Sequence, residues 1–342
     1  MNKFVFTSSP ESSQMAFNEI KKYNANSKLI SYINAGVGIV ETSETFSEIS
    51  AILKNEISVF VRHICPINKS FDIYNQKDVL EALNAIEEFF VQNIKKEDIT
   101  FSVQTRIYGT NELDIKKNFI NETLAEKLVE QKFNLNIKNP TEIISIIITD
   151  SAMFFGISNP TDNLSFWAGG EYRFKKHEHV ISRAEFKLLE AIDTFNIDIK
   201  KYKTALDLGA SPGGWTKVLL GNGLKVTCVD PANLSDKISK NKNVTHHKCL
   251  AQDFLKSDYE FDIIVNDMRM DIYESIDLMK SACKYLKNDS IAIMTLKLRE
   301  KNIQTQVNKA IKAISSHYKV LHAKQLFHNR AEVTLILLPF KD

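Results

Sequence analysis

The stretch Ala205-Leu206-Asp207-Leu208-Gly209-Ala210-Ser211-Pro212-Gly213-Gly214-Trp215 decides the fold. An apolar strand runs into a glycine-rich turn, and the chain resumes as a helix over residues 215–220. In that arrangement backbone N–H groups at a helix start cradle a nucleotide-like cofactor. The spacing is not the G-x-G-x-x-G of a dinucleotide fold, and the Lys-Ser/Thr pair with which a P-loop grips phosphate is absent.

Downstream, strands and helices alternate in the order such a site needs. Residues 224–229 form an apolar strand ending at Asp230-Pro231, so that Asp230 sits at the carboxyl edge, placed for ribose hydroxyls. A third strand, 244–249, precedes Gln252-Asp253-Phe254, where an acid and an aromatic can meet an adenine ring. A fourth, 261–268, delivers Asp267 to the same edge. Singly, each acid reads as a loop end or a helix cap. Together beside the glycine loop they define a cofactor site on an α/β, Rossmann-like sheet.

The chain has 342 residues, 44% of them hydrophobic and 25% charged, enough for two or three domains with a large core. No apolar run reaches the length of a membrane span and the N-terminus lacks a signal-peptide pattern, so a cytoplasmic protein is expected. Cys65, Cys228, Cys249 and Cys283 are scattered, without C-x-x-C or histidines at zinc spacing, which predicts reduced, buried thiols and no metal site. A net charge of +2 argues against indiscriminate polyanion binding and leaves room for a local basic patch.

The break Asn159-Pro160-Thr161-Asp162-Asn163 places a domain boundary between Pro160 and Ser182. The connector that follows carries Arg173, Lys175, Lys176, His177, His179, Arg183 and Lys187, diluted by Glu171, Glu178 and Glu185. Upstream, residues 41–53 and 78–94 read as amphipathic helices and 100–108 as a half-buried strand. A helix over 117–131 follows, then two strands, 134–138 and 142–148, joined by a turn at Asn139-Pro140. Arg62-His63, near the end of an apolar stretch, reads as a structural pair without chemistry.

The run Asp207 to Trp215 resembles the S-adenosyl-L-methionine loop of FtsJ-type RNA 2′-O-methyltransferases. Lys187, Asp267, Lys297 and Glu332 match, in order and local context, the Lys-Asp-Lys-Glu tetrad of that family. Methyl transfer to a ribose hydroxyl requires the oxygen held in line with the methyl group and a group that handles its proton. A pocket with two lysines can shift one by like-charge repulsion while a carboxylate holds the other. The resemblance implies that Lys297 is the principal proton-handling residue, that Lys187 and Glu332 orient the hydroxyl, and that Asp267 lies beside the methyl donor. It also implies that Ser182, Gly209, Ser211, Pro212, Gly213, Gly214, Asp230, Asp253 and Asp267 hold the cofactor. An interior strand that interrupts its apolar run for Lys297 supports a function for that residue independently.

Thr295-Leu296-Lys297-Leu298 and Gln325-Leu326-Phe327-His328-Asn329-Arg330-Ala331-Glu332-Val333-Thr334 resemble more narrowly the M-type (RlmM) cytidine 2′-O-methyltransferases of bacterial 23S ribosomal RNA. Ser211 stands where that family carries cysteine, and Asp267-Met268 continues as Arg269-Met270-Asp271 where FtsJ itself has Ala-Pro-Asn, so the substrate wall differs. Phe101-x-Val103-x-x-Arg106, the following helix, Lys138-Asn139-Pro140-Thr141 and residues 143–148 are similar to a THUMP domain, an RNA-binding module. The implied division is a ferredoxin-like lead domain at 1–57, a THUMP-like domain at 58–165 and a methyltransferase domain at 166–342. The implied partner is structured RNA, ribosomal first, with no membrane and no assembly state assigned. Two alternatives remain: the same chemistry on transfer RNA, or a catalytically silent RNA-binding or assembly factor. Asn266-Asp267-Met268-Arg269 lacks the Asn/Asp-Pro-Pro-Tyr strand end common in base methyltransferases.

Overall fold

In the first half of the chain, β1 (Asn2–Thr7), α1 (Ser13–Tyr23), β2 (Lys28–Asn34), β3 (Val37–Thr42), α2 (Phe46–Asn55) and β4 (His63–Ile67) follow in β-α-β-β-α-β order. Their four strands pair antiparallel as β2-β3-β1-β4, a ferredoxin-like arrangement. β1 is central and covered on both faces: Val5 packs with Val37, Ile39 and Cys65, while Phe4 and Phe6 are buried too. Its second edge is satisfied by β4, which lies past the 1–57 segment expected for the lead domain. A central strand left without that partner would carry unpaired backbone groups. Helix α2 starts later than the expected Glu41, because Glu41 and Thr42 pair with β1 and because Thr45 and Glu48 form a capping box that sets the first turn at Phe46.

This computed structural model describes residues 1–95, 99–174, 180–256 and 259–340, and the chain divides into two units, Met1–Glu171 and Tyr172–Asp342. The first unit also contains β5 (Lys69–Asp72), α3 (Gln76–Asn93), β6 (Thr100–Ile107), α4 (Lys117–Glu130), β7 (Asn134–Leu135), β8 (Glu142–Ile148) and β9 (Ala152–Ser158). The five strands are ordered β5-β9-β8-β6-β7. Val79, Leu83, Ile86 and Phe90 of α3 meet Ile120, Leu124 and Leu128 of α4 in one apolar core against the sheet. The expected turn-linked pair at 134–138 and 142–148 does not form. β6 lies between β7 and β8 and runs parallel to both. The side chain of Asn136 takes the backbone N–H groups of Lys138 and Asn139, which ends β7 early. Arg106, part of the THUMP-like motif, is held in an ion pair with Glu171.

The second unit comprises α5 (Ala184–Thr194), β10 (Thr204–Leu208), α6 (Gly214–Gly221), β11 (Lys225–Val229), α7 (Asp236–Ser239), β12 (Val244–His247), α8 (Ala251–Phe254), β13 (Phe261–Asn266), α9 (Ile272–Ala282), β14 (Leu286–Lys297), α10 (Ile303–Ile314), β15 (Tyr318–Lys324) and β16 (Glu332–Pro339). Its seven-stranded sheet has the order β12-β11-β10-β13-β14-β16-β15, parallel except for β16, which is antiparallel to both neighbours. This is a Rossmann-like α/β fold. Helices on both faces explain why the central strands read as unbroken apolar runs such as Ile263-Ile264-Val265, all fully buried. The strand order reverses between β10 and β13, so a crevice opens there at the carboxyl edge. Because β16 runs the other way, its first residue, Glu332, lies at that same edge. No helix among the described residues is long and apolar enough to cross a membrane. All four cysteines are free thiols; Cys65, Cys228 and Cys283 are buried as expected, whereas Cys249, just past the end of the edge strand β12, is half-buried. Lys175, Lys176, His177, Glu178 and His179 of the basic connector lie outside the described residues.

Candidate active site

β10 ends at Leu208, and Gly209 turns the chain with φ +75°, a left-handed conformation that a side chain disfavours. A Cβ there would also lie 2.1 Å from Cγ of Met268. Ser211-Pro212 is a cis peptide, and Gly213 caps the start of α6. At Gly214 a Cβ would stand 2.2 Å from Oγ of Ser182, so a larger residue there would turn that hydroxyl out of its place beside the loop. Glu185 fastens that segment: it accepts from the N–H groups of Ile181 and Ser182 and pairs with Lys217 of α6 at 2.7 Å. Trp215 Nε1 donates to the Ala184 carbonyl at 2.8 Å. The Ser182 hydroxyl is left buried with no hydrogen-bond partner among the described residues, beside the glycine loop.

Asp230 braces the loop from the end of β11. Its carboxylate accepts from Ser211 N at 3.0 Å and Ala232 N at 2.7 Å, and Ser211 Oγ donates to the Asn233 carbonyl at 2.9 Å. Asp253 is placed differently from Asp230. It lies on the short helix α8 with its side chain 57% exposed, paired with Lys256 at 2.8 Å. Phe254 is buried, stacked on Tyr259 and tilted against His247, so its ring serves the core and not an open wall. In the sequence, Gln252-Asp253-Phe254 gave no sign of which ring face would be used.

Lys187, Asp267, Lys297 and Glu332 converge from α5, the end of β13, the end of β14 and the start of β16. Lys187 Nζ lies 3.2 Å from both Asp267 oxygens and 2.5 Å from Glu332 Oε2. Lys297 Nζ donates to Asp267 Oδ1 and to Glu332 Oε1, the latter at 2.9 Å. The four side chains are only 14–18% exposed and alternate in charge. Each ammonium group is thereby offset by two carboxylates, which is how a cluster of charges tolerates partial burial. Burial alone would lower the pKa of Lys187, but Asp267 and Glu332 outweigh it and hold the ammonium above its ordinary value.

Two contributors escaped the sequence reading. Thr295 Oγ1 donates to Asp267 Oδ1 at 2.5 Å. It lies two residues before Lys297 on β14 and hence on the same face, a periodicity that could have flagged it. Asp207, inside β10, is buried and receives the Thr216 hydroxyl at 2.6 Å, and burial raises its pKa to about 7, Asp267 and Asp230 adding to the shift. Among the described residues no group of three or more His, Cys, Asp or Glu side chains could hold a metal ion.

The Rossmann-like sheet carries a glycine loop at its switch point and a carboxylate-lysine array at the same edge, and residues 180–333 match the family model described as FtsJ-like methyltransferase. That segment is an FtsJ-like methyltransferase domain. The chain is 33% identical over 167 residues to the uncharacterized protein MJ1257 of Methanocaldococcus jannaschii, covering 47% of each. To ribosomal RNA large subunit methyltransferase M of Halorhodospira halophila it is 29% identical over 202 residues, 58% of each. To the protein of that name from Azoarcus sp. it is 26% identical over 347 residues, covering 93% of this chain and 91% of the other. The match thus spans about half the length of the first two relatives and most of the third.

Proposed function

We propose that the protein transfers a methyl group from S-adenosyl-L-methionine to a ribose 2′-hydroxyl of structured RNA, with large-subunit ribosomal RNA as the substrate. The observation that carries this reading is the alternating Lys187-Asp267-Lys297-Glu332 array at the sheet edge that also bears the glycine loop. The Ser182 hydroxyl, unpartnered among the described residues, the close-packed Gly209 and Gly214 and the carboxylate of Asp230 fit a small polar cofactor lying over that edge. Ser182, Gly209, Ser211, Pro212, Gly213, Gly214, Asp230 and Asp267 would hold it, while exposed Asp253 would reach it from the rim. When bound, the donor supplies a methyl group already activated by its positive sulfur.

The chain's own residues do the rest. Lys187, held in its charged form, is suited to orienting the hydroxyl and stabilising the developing alkoxide, and not to accepting a proton. Lys297, on a rigid strand, takes the hydroxyl proton on its amine nitrogen as the ribose oxygen–methyl bond forms and the donor's sulfur–methyl bond breaks, with Glu332 holding that nitrogen from the facing strand. Asp267 holds both lysines at the donor's end of the array. RNA capture falls to the first unit, with a ferredoxin-like lead domain that extends beyond 1–57 to include β4 and a THUMP-like domain in the remainder up to 165, and to the basic connector. Recognition there is of RNA shape and single-stranded segments.

The deciding experiment is incubation of the protein with labelled donor and unmodified 23S or transfer RNA, followed by nuclease digestion and mass spectrometry. A 2′-O-methylated nucleotide in the ribosomal RNA is expected. Modification of transfer RNA alone would move the substrate, and transfer to no RNA would leave an RNA-binding factor.

A further inference from the structure

The segment ahead of Glu332, residues 325–331, closes the β15–β16 hairpin at the active edge, and a single acid grips its tip. Glu190 of α5 is 2% exposed. Its Oε1 accepts from Phe327 N at 2.6 Å, and its Oε2 accepts from His328 N at 2.8 Å and lies 2.6 Å from His328 Nδ1. A carboxylate so deeply buried is tolerated because it collects three N–H donors. The hairpin tip is then tied onward to β16: Asn329 Oδ1 accepts from Leu326 N at 3.2 Å and from Thr334 Oγ1 at 3.1 Å. The Ala331 carbonyl accepts from Leu298 N at 2.9 Å, next to Lys297. The His328 ring stacks on Phe186, the neighbour of Lys187, with centroids 5.4 Å apart.

Glu190 follows Lys187 by three residues, so the two share a face of α5 with Cβ atoms about 5–6 Å apart. One helix face therefore presents Lys187 to Glu332 and, a turn later, Glu190 to the loop that delivers Glu332. We propose that Glu190, with His328, is a positioning residue: it fixes the hairpin tip against α5 so that Glu332 meets Lys187 and Lys297 in register. The proposal rests on the methyl-transfer reading above. Among the described residues the Glu190 carboxylate bonds to Phe327 and His328 and to none of the four tetrad residues, so it acts on the reaction through Glu332.

The test is Glu190→Gln, which replaces one acceptor oxygen by an NH2 group facing N–H donors. With in-vitro-transcribed, unmodified large-subunit ribosomal RNA, kcat is expected to fall about tenfold or more while KM for RNA and Kd for the donor stay within about twofold. Added to Glu332→Gln, the same change is expected to cost less than about threefold further, because both act on one unit. Undiminished kcat in folded Glu190→Gln, or a fall of the same factor in the Glu332→Gln background, overturns the proposal. His328→Phe keeps a ring on Phe186 and removes one donor to Glu190. It is expected to lower kcat several-fold with KM unchanged, and if Glu190→Gln does not fold, wild-type kcat in His328→Phe overturns the proposal instead. A wild-type protein that methylates no RNA would overturn the underlying reading, a result separable from an active wild type beside an equally active Glu190→Gln.

Discussion

Lys297 and Glu332 stand directly opposite each other in the antiparallel ladder of β14 and β16, and their side chains meet at 2.9 Å across it. The central ion pair is thus built on paired backbone and not on loops. A slip of one residue would put Val333 opposite Lys297 and turn Glu332 to the other face of the sheet. Lys187 and Asp267 are brought in from neighbouring elements and complete the array around this pair.

Replacing Lys297 with alanine is expected to abolish methylation while leaving donor affinity nearly intact, since the residue acts on the hydroxyl in the transition state. Transfer of labelled methyl groups and calorimetry on the same preparation separate the two effects. Substantial turnover in this variant would assign the proton to another group.

Asp230→Ala is expected to weaken donor binding by about 1–3 kcal/mol, through loss of a charged acceptor for ribose hydroxyls. The Ser211 and Ala232 N–H groups lose their acceptor too, so the loop itself loosens. Isothermal calorimetry on a folded variant checks this, and unchanged affinity would remove Asp230 from the site.

The carboxyl of Asp207 has a folded-state pKa raised from 3.8 to about 7, chiefly by burial. The folded protein therefore holds this proton more tightly than the unfolded chain does. The stabilisation this gives is complete below about pH 4 and is lost as pH rises to about 7. Asp207→Asn, which stays neutral and can still accept from Thr216, is expected to flatten this part of the stability profile. Urea unfolding between pH 4 and 8 measures it, and parallel profiles for the two proteins would contradict the shift.

A fragment of residues 166–342 is expected to bind the donor yet methylate RNA poorly, because RNA affinity is assigned to the first half and the connector. Full-length binding should weaken as salt rises, since it depends on phosphate contacts. Filter binding and turnover of fragment and full-length protein, measured side by side, test the division. Equal methylation by the fragment would end it.

The glycine loop, the strand-end acids Asp230 and Asp267 and the Rossmann-like α/β class of the second unit were legible in the amino-acid sequence, because apolar runs, turn residues and helix starts are properties of near neighbours; the edge strand β15 was not read there. The loop's demand for glycine is of that kind at Gly209, where the backbone itself turns left-handed. At Gly214 the close neighbour is the Ser182 hydroxyl, more than thirty residues upstream, and local pattern does not show it. The same limit explains the strands at 134–135 and 142–148. Each has the right pattern, but pattern names a face and not a partner, and β6 took both.

The four charged residues could be set in order by resemblance, but their convergence is a tertiary fact. Lys187 and Glu332 meet only because β16 runs against its neighbours and so begins at the edge where β10, β13 and β14 end. The inward turn of Phe254 was settled by packing against Tyr259 and His247. Thr295 on Asp267 and Glu190 on the hairpin tip were likewise settled by long-range register and burial. A polar side chain acquires its role when the fold removes water from around it and supplies a distant partner, and neither the loss of water nor the partner is written in the residues beside it.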